Sequence, residues 1–239
     1  MTAENVLLFT SIVIIFLWLR IQYKSAQLKQ FLQAVLLAVI WVGLLGHWGR
    51  HGTFSHFEKF PSAFLLFFPG LILFSIFLAF SKFGTAIIRR VQMNQLVLFQ
   101  SFRLLAELAL FLALKEGLAP VQMTFEGYNF DIVTGVAAVG LGLYLRKKTN
   151  TKLVQAFNLT GMTFLAVIAF IAMTSMPNKL RLFMNEPSNI WVTMSPYILL
   201  PGILVLAALT THLLIFRKLK SAEFFLRNGI SSRRRGSRK

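Results

Sequence analysis

Gln100, Arg103 and Glu107 stand three and four residues apart in an otherwise apolar run, Gln95–Leu114. On a helix that spacing puts all three on one face. A guanidinium and a carboxyl in the middle of an apolar helix are costly to leave in lipid, and such groups face a bundle interior or a water-filled cavity. Their chemistry would be that of a site for a ligand, an ion or a proton, with Arg103 as fixed positive charge and Glu107 as titratable partner. The plainer alternative is an ion pair that only fixes helix packing. Asn158, in the run Leu153–Met173, is the residue expected to face Arg103. Its plainer role is an interhelical hydrogen bond.

Other polar clusters are weaker. His47 and His51 are four residues apart and could meet on one face, with Glu58 nearby. No further ligand follows at a metal-binding spacing and Arg50 lies between them, so they read as a polar helix end, weak metal candidates at most. Glu126 and Asp131 put two carboxyls in one loop, expected at the outer mouth of the protein, with no nucleophile or base beside them in sequence. Asn129 or Asp131 suits the start of a helix, since a side-chain oxygen there accepts from a free N–H. His212 reads as an interfacial histidine. No cysteine is present, which removes disulfides, thiolate chemistry and Cys metal sites. Zinc-protease, phosphate-loop and nucleophile-elbow motifs are missing as well. No cofactor is expected.

The elements that must position these residues are membrane helices. The chain is 56% hydrophobic, only 14% charged, and carries 25 Phe. Soluble domains usually hold about a quarter charged residues. Seven runs approach the roughly 20 apolar residues that a spanning helix needs. They are Ala3–Leu19, Phe31–Trp48, Ser62–Ser81, Gln95–Leu114, Asp131–Leu145, Leu153–Met173 and Trp191–Phe216. The fold expected is an all-α bundle of seven transmembrane helices over residues 1–216, followed by a basic tail, 217–239. Pro69–Gly70 should bend the third helix, and Pro196 with Pro201–Gly202 the seventh. Gly135, Ala138 and Gly142 should let a neighbouring backbone approach the fifth. Trp48 and Trp191 fall at expected outer ends, where aromatic residues anchor helices.

Lys and Arg sort by connection. Arg20, Lys24 and Lys29, then Lys82, Arg89 and Arg90, then Arg146, Lys147, Lys148 and Lys152, and the tail fall on one side; Arg50, Lys59, Lys115, Lys179 and Arg181 fall on the other. The positive-inside rule makes the rich side cytoplasmic, with the N-terminus outside and the C-terminus in the cytoplasm. The net charge of +17 is therefore largely topological. Nucleic acid is not expected as a partner. Leu219, Ala222, Phe225 and Leu226 would form a short apolar face lying on the inner membrane surface. Ser231–Lys239 is expected to lack structure, and its charge would attract anionic lipid.

The stretches Met123-Thr-Phe-Glu-Gly-Tyr-Asn-Phe-Asp131, Phe102-Arg-Leu-Leu-Ala-Glu-Leu108 and Asn185-Glu-Pro-Ser-Asn189 resemble a group of uncharacterised multi-pass bacterial membrane proteins. That resemblance implies a bacterial cytoplasmic membrane and no particular activity. Seven helices in this orientation also occur in rhodopsins. A retinal protein needs a lysine at the centre of a spanning helix, and the last helix has none before Lys218. The leading expectation is a buried polar pocket that binds or transports a small molecule, ion or proton. The alternatives are a membrane enzyme acting on lipid or isoprenoid substrates through Glu126 and Asp131, and a sensor or assembly subunit.

Overall fold

The computed structural model describes residues 1–23 and 28–236, and among them it is all-helical. The elements are α1 (Ala3–Tyr23), α2 (Leu28–Arg50), α3 (Ala63–Phe80), α4 (Lys82–Arg90), α5 (Met93–Phe99), α6 (Arg103–Lys115), α7 (Asp131–Tyr144), α8 (Thr151–Thr174) and α9 (Leu206–Gly236). A 3₁₀ turn, Gln100–Phe102, joins α5 to α6 in one rod, and a π turn, Leu200–Val205, leads into α9. Six of these helical rods are long and apolar enough to cross a membrane. Rows of exposed apolar side chains on α2 and α3, such as Leu36, Leu37, Ile40, Leu66, Leu73 and Phe77, suit contact with lipid tails.

α7 is the exception. It holds 14 residues, about 21 Å at 1.5 Å per residue, against a hydrocarbon core of about 30 Å. Its small residues fix where it sits. A Cβ on Gly135 would lie 2.9 Å from the Leu104 side chain, and one on Gly142 2.4 Å from that of Leu98. α7 therefore runs antiparallel along the α5–α6 rod at close range, as Gly135, Ala138 and Gly142 lead one to expect. One turn before Gly135, Asp131 comes level with Glu107. The helix thus begins eight residues, about 12 Å, short of the rod's end at Lys115.

The chain between the two must dip into the bundle. α6 closes on Gly117, which takes φ +72, with Leu118 N–H donating to Ala113 O at 2.8 Å. That bond from the residue after the glycine closes the helix end. Ala119, Gln122, Met123, Thr124 and Asn129 are then buried. Irregular backbone at such depth is tolerated when protein surrounds it and its polar groups are paired. Here Met123, Thr124, Gly127 and Asn129 N–H groups all find carbonyls within the loop.

Connections gather at the two ends of the bundle. At one end Ala3 N–H donates to Glu116 Oε1 at 2.9 Å, and Ser55 Oγ meets Thr193 Oγ1 at 2.7 Å. At the other end Arg217 reaches Ala79 O and Thr85 Oγ1, and Lys218 Nζ donates to Ile88 O at 2.6 Å. These bonds hold the end of α3 and α4 against α9. α4 lies in what reads from sequence as a plain loop. Its apolar Ile87 is buried while Lys82, Arg89 and Arg90 stay exposed, the pattern of a short amphipathic helix.

The helical runs depart from a set of uniform spans at several points. The fourth run is not one uniform helix but two, tightened at Gln100–Phe102. The seventh is broken as its prolines suggest: a 3₁₀ turn at Asn189–Thr193, irregular chain, the π turn at Leu200–Val205, then α9. Trp41 Nε1 donates to the Gly202 carbonyl at 3.0 Å in that turn. α9 also continues to Gly236, through residues expected to lack structure from Ser231 on. Ser237–Lys239, and the side chains of Ala222, Phe225 and Leu226, lie outside the described residues. Trp191 is buried rather than interfacial.

Two apolar clusters make up the core. One packs Leu110, Phe64, Ile168 and Leu204 on the side of the long loops; the other packs Val97, Ala138, Phe157 and Leu214 on the opposite side. Between them lies a layer of buried polar residues: Gln100, Arg103, Thr134, Asn158, Thr210, Thr211 and His212. The α5–α6 rod, α7, α8 and α9 each contribute to this layer.

Candidate functional site

Arg103 opens α6 immediately after the 3₁₀ turn, and its side chain is almost fully enclosed, 1% exposed. A charge so placed requires a counter-charge and hydrogen bonds. Asp131 supplies the first: its carboxylate pairs directly with Arg103 Nη1. Gly161 O lies 3.4 Å from the same nitrogen. This is a correction, since the sequence points to Glu107 or Asn158 as the partner. The short α7 explains it: by starting inside the bundle, it delivers Asp131 to the depth of Arg103.

Glu107 is buried on the same face and is held by Asn129, whose Nδ2 donates to Glu107 Oε1 at 2.7 Å and to Met123 O at 3.0 Å. Asn129 Oδ1 accepts from Asp131 N–H at 3.0 Å, so the same side chain satisfies the first N–H of α7. Asn158 goes elsewhere: its Oδ1 lies 2.8 Å from His212 Nδ1. His212 is fully buried, not interfacial. Gly161 makes room for it, since a Cβ there would stand 2.5 Å from the His212 ring. Gln100 Nε2 donates to Ala208 O at 3.1 Å and ties α5–α6 to α9.

The outer-mouth pair is divided. Asp131 is buried, whereas Glu126 is exposed and pairs with Lys115 at 3.3 Å. His47 and His51 lie with ring centroids 4.4 Å apart and planes tilted by 50° on an exposed face. Among the described residues no three His, Cys, Asp or Glu gather as a metal site.

A cavity of about 70 Å³ opens beside Arg103. Arg103, Glu107, Asn129 and Asp131 form its polar end, and Asn189 lies at the loop side, bonded at Ala172, eleven residues further along α8 than Gly161; every other lining side chain is apolar, with Phe64, Phe102, Leu165 and Leu204 among them. Several buried polar atoms of the lining have no hydrogen-bond partner within the protein: Arg103 Nε and Nη2 and Glu107 Oε2 at that end, and Asn189 Oδ1 at the loop side. Leaving such a group unpaired costs about 1–3 kcal/mol, more when it is charged. Several together, around one cavity, mark a place prepared to hydrogen-bond something else.

On the loop side the cavity is sealed. Met123, Met176, Asn189 and Val192 are buried. Gln122 Nε2 donates to Ser175 Oγ at 2.9 Å, Asn185 Nδ2 to Gln122 Oε1 at 2.8 Å, and Asn189 Nδ2 to the Ala172 carbonyl at 3.1 Å. Outside this seal, Arg181 and the Ser188 N–H hold the Glu186 carboxyl below the usual carboxylate range.

The family model described as Domain of unknown function (DUF8737) matches residues 60–220. The chain belongs to this family. No curated protein matches it, and no solved structure does. The DUF8737 segment begins just ahead of α3 and ends within α9. It therefore contains the whole polar layer and every residue lining the cavity, while α1 and α2 lie outside it.

Asn129, Asn189 and His212 are the site residues that spacing along one helix does not reveal. Asn129 reads from sequence only as a helix cap, and Asn189 only as part of a loop. One signal was available. The three stretches that carry the resemblance contain Arg103 with Glu107, Asn129 with Asp131, and Asn189, and the fold brings all three to one cavity.

Proposed function

We propose that this DUF8737 protein is a polytopic membrane protein that binds a small molecule in a polar pocket buried between its helices. The observation that carries this reading is the cavity bounded by Arg103, Glu107 and Asn189, whose buried polar atoms lack partners. Asp131 neutralises Arg103 and fixes its direction. Asn129 fixes Glu107, leaving the second carboxyl oxygen for the ligand. Gln100, Asn158 and His212 brace the layer beneath. Transport would need this site to open alternately to the two sides; binding alone needs one route. The catalytic alternative loses its basis, because Glu126 and Asp131 do not share a site.

α7 serves in this reading as the seventh span, completed by the dipping loop above it. The Lys/Arg distribution then puts the N-terminus outside and the tail, with α4, in the cytoplasm, where both face anionic lipid. The membrane is the bacterial cytoplasmic membrane, as the resemblance implies. Reporter fusions at Arg90, Lys148 and Arg235 are expected to score cytoplasmic, and fusions at Glu58, Gly117 and Asn185 external. A reproducible reversal at Gly117 or Lys148 would remove α7 as a span.

Binding is tested by purifying the full chain in lipid nanodiscs, extracting it with organic solvent and analysing the extract by mass spectrometry. One compound is expected in near-stoichiometric amount from the wild type and depleted from folded Glu107→Ala. Equal recovery from both, or no compound enriched over bulk lipid, would contradict the pocket.

A further inference from the structure

The charge balance and the walls of the cavity narrow what it can hold. One guanidinium faces two carboxyl groups, and Asp131 already occupies it. A phosphate or carboxylate ligand would meet no uncompensated positive charge and would lie against Glu107, so desolvating it would go largely unrewarded. The free atoms at the polar end instead ask for a head that both accepts and donates: Arg103 Nε and Nη2 donate, while Glu107 Oε2 can accept. A hydroxyl does both. Apart from Asn189 at the loop side, the rest of the cavity has only apolar side chains, which would cover a hydrocarbon body.

The route is asymmetric too. The loop-side wall is buried and laced by hydrogen bonds. The lining residues that keep some exposure include Phe68 of α3, Ala169, Ala172 and Met173 of α8, and Val205 of the π turn. All of these are apolar and lie on helices long and apolar enough to span. The cavity thus reaches the surface through faces that would meet lipid tails, not water.

Building on the pocket reading above, we infer that the ligand is a neutral amphipath, a hydroxyl-type head on an apolar chain, which reaches Arg103 and Glu107 sideways from the bilayer through the rim between α3 and α8. The head lies against Arg103 and Glu107, and the chain lies along Phe68 and α8. Lateral access spares the head from crossing the sealed loop layer.

The test uses the full chain in nanodiscs and a long-chain alcohol carrying a diazirine, with its carboxylate and phosphate-monoester counterparts of equal chain length. Photolabelling by the alcohol is expected to saturate, to be competed by the unlabelled alcohol, and to map to α6, α8 and the start of α3. Both charged probes should label these peptides at least about tenfold less, a difference of roughly 1.4 kcal/mol. Ala169→Trp, which narrows the rim, should cut labelling by a similar factor, while Phe170→Trp, on the exposed face of α8, should leave it unchanged. Ala172→Trp replaces Ala169→Trp if the latter does not fold, as judged by gel filtration and unfolding midpoint. Charged probes labelling as well as the alcohol would overturn the head-group assignment. Saturable labelling indifferent to the rim variants would overturn lateral access and leave the pocket standing. If no probe labels saturably, yet a compound still co-purifies and is lost in Glu107→Ala, the amphipath falls and the pocket survives; if nothing co-purifies either, both fall.

Discussion

Arg103→Gln is expected to destabilise the protein by about 3–5 kcal/mol, the range found when one member of a buried ion pair is removed. It strands Asp131 without its partner and leaves two buried carboxyls, Asp131 and Glu107, on one cavity wall. Asp131→Asn should cost less, because Arg103 keeps Glu107 as an electrostatic neighbour. The double variant should be milder than the sum of the singles, since each single breaks the same pair. The analogous cycle between Arg103 and Glu107 should give a smaller coupling, because Glu107 bonds to Asn129 instead. SDS-driven unfolding in mixed micelles measures all of these. Equal couplings in the two cycles, or strictly additive losses for Arg103 and Asp131, would contradict the pairing.

Asn129→Ala should rank with it. This one side chain donates to Glu107 and to Met123 O, and accepts from Asp131 N–H. Removing it strands three buried groups at about 1–3 kcal/mol each, part of which relaxation recovers, so a loss of about 3–5 kcal/mol is expected. Asn129→Asp keeps the cap on Asp131 but sets a second carboxylate against Glu107, and should be no milder. Both variants should also weaken ligand retention, because Glu107 loses its orientation. A change within about 0.5 kcal/mol, the range of surface substitutions, would mean that the dipping loop is not what holds Glu107.

These two residues show where sequence reasoning reaches its limit. Hydrophobic run length and the spacing of Gln100, Arg103 and Glu107 are local properties, and the buried face of α5–α6 followed from them. So did the close approach at Gly135 and Gly142, and the break at Pro201–Gly202. Partner choice is not local. Whether Arg103 meets Glu107 or Asp131 depends on how deep α7 begins, which depends on a loop that folds inward. Loops are usually taken to stay at the surface, and nothing in the run length of Asp131–Leu145 says that its first residue is buried. His212 was misplaced for a related reason. Counting residues from the end of a span assumes a regular helix standing upright in the bilayer, and the π turn and the long extension of α9 break that assumption. α4 is not legible from sequence because it holds only nine residues, too short an amphipathic pattern to distinguish from a basic loop.

The central claim is that Arg103 and Glu107 border a cavity prepared for a ligand, and a density map of the full chain in nanodiscs tests it most directly. Density is expected within hydrogen-bonding distance of the Arg103 guanidinium and the Glu107 carboxyl, continuing as an apolar chain past Phe68 and Ala172 to the bilayer. A cavity closed by protein side chains, with Arg103 and Glu107 satisfying each other and no density between them, would contradict it.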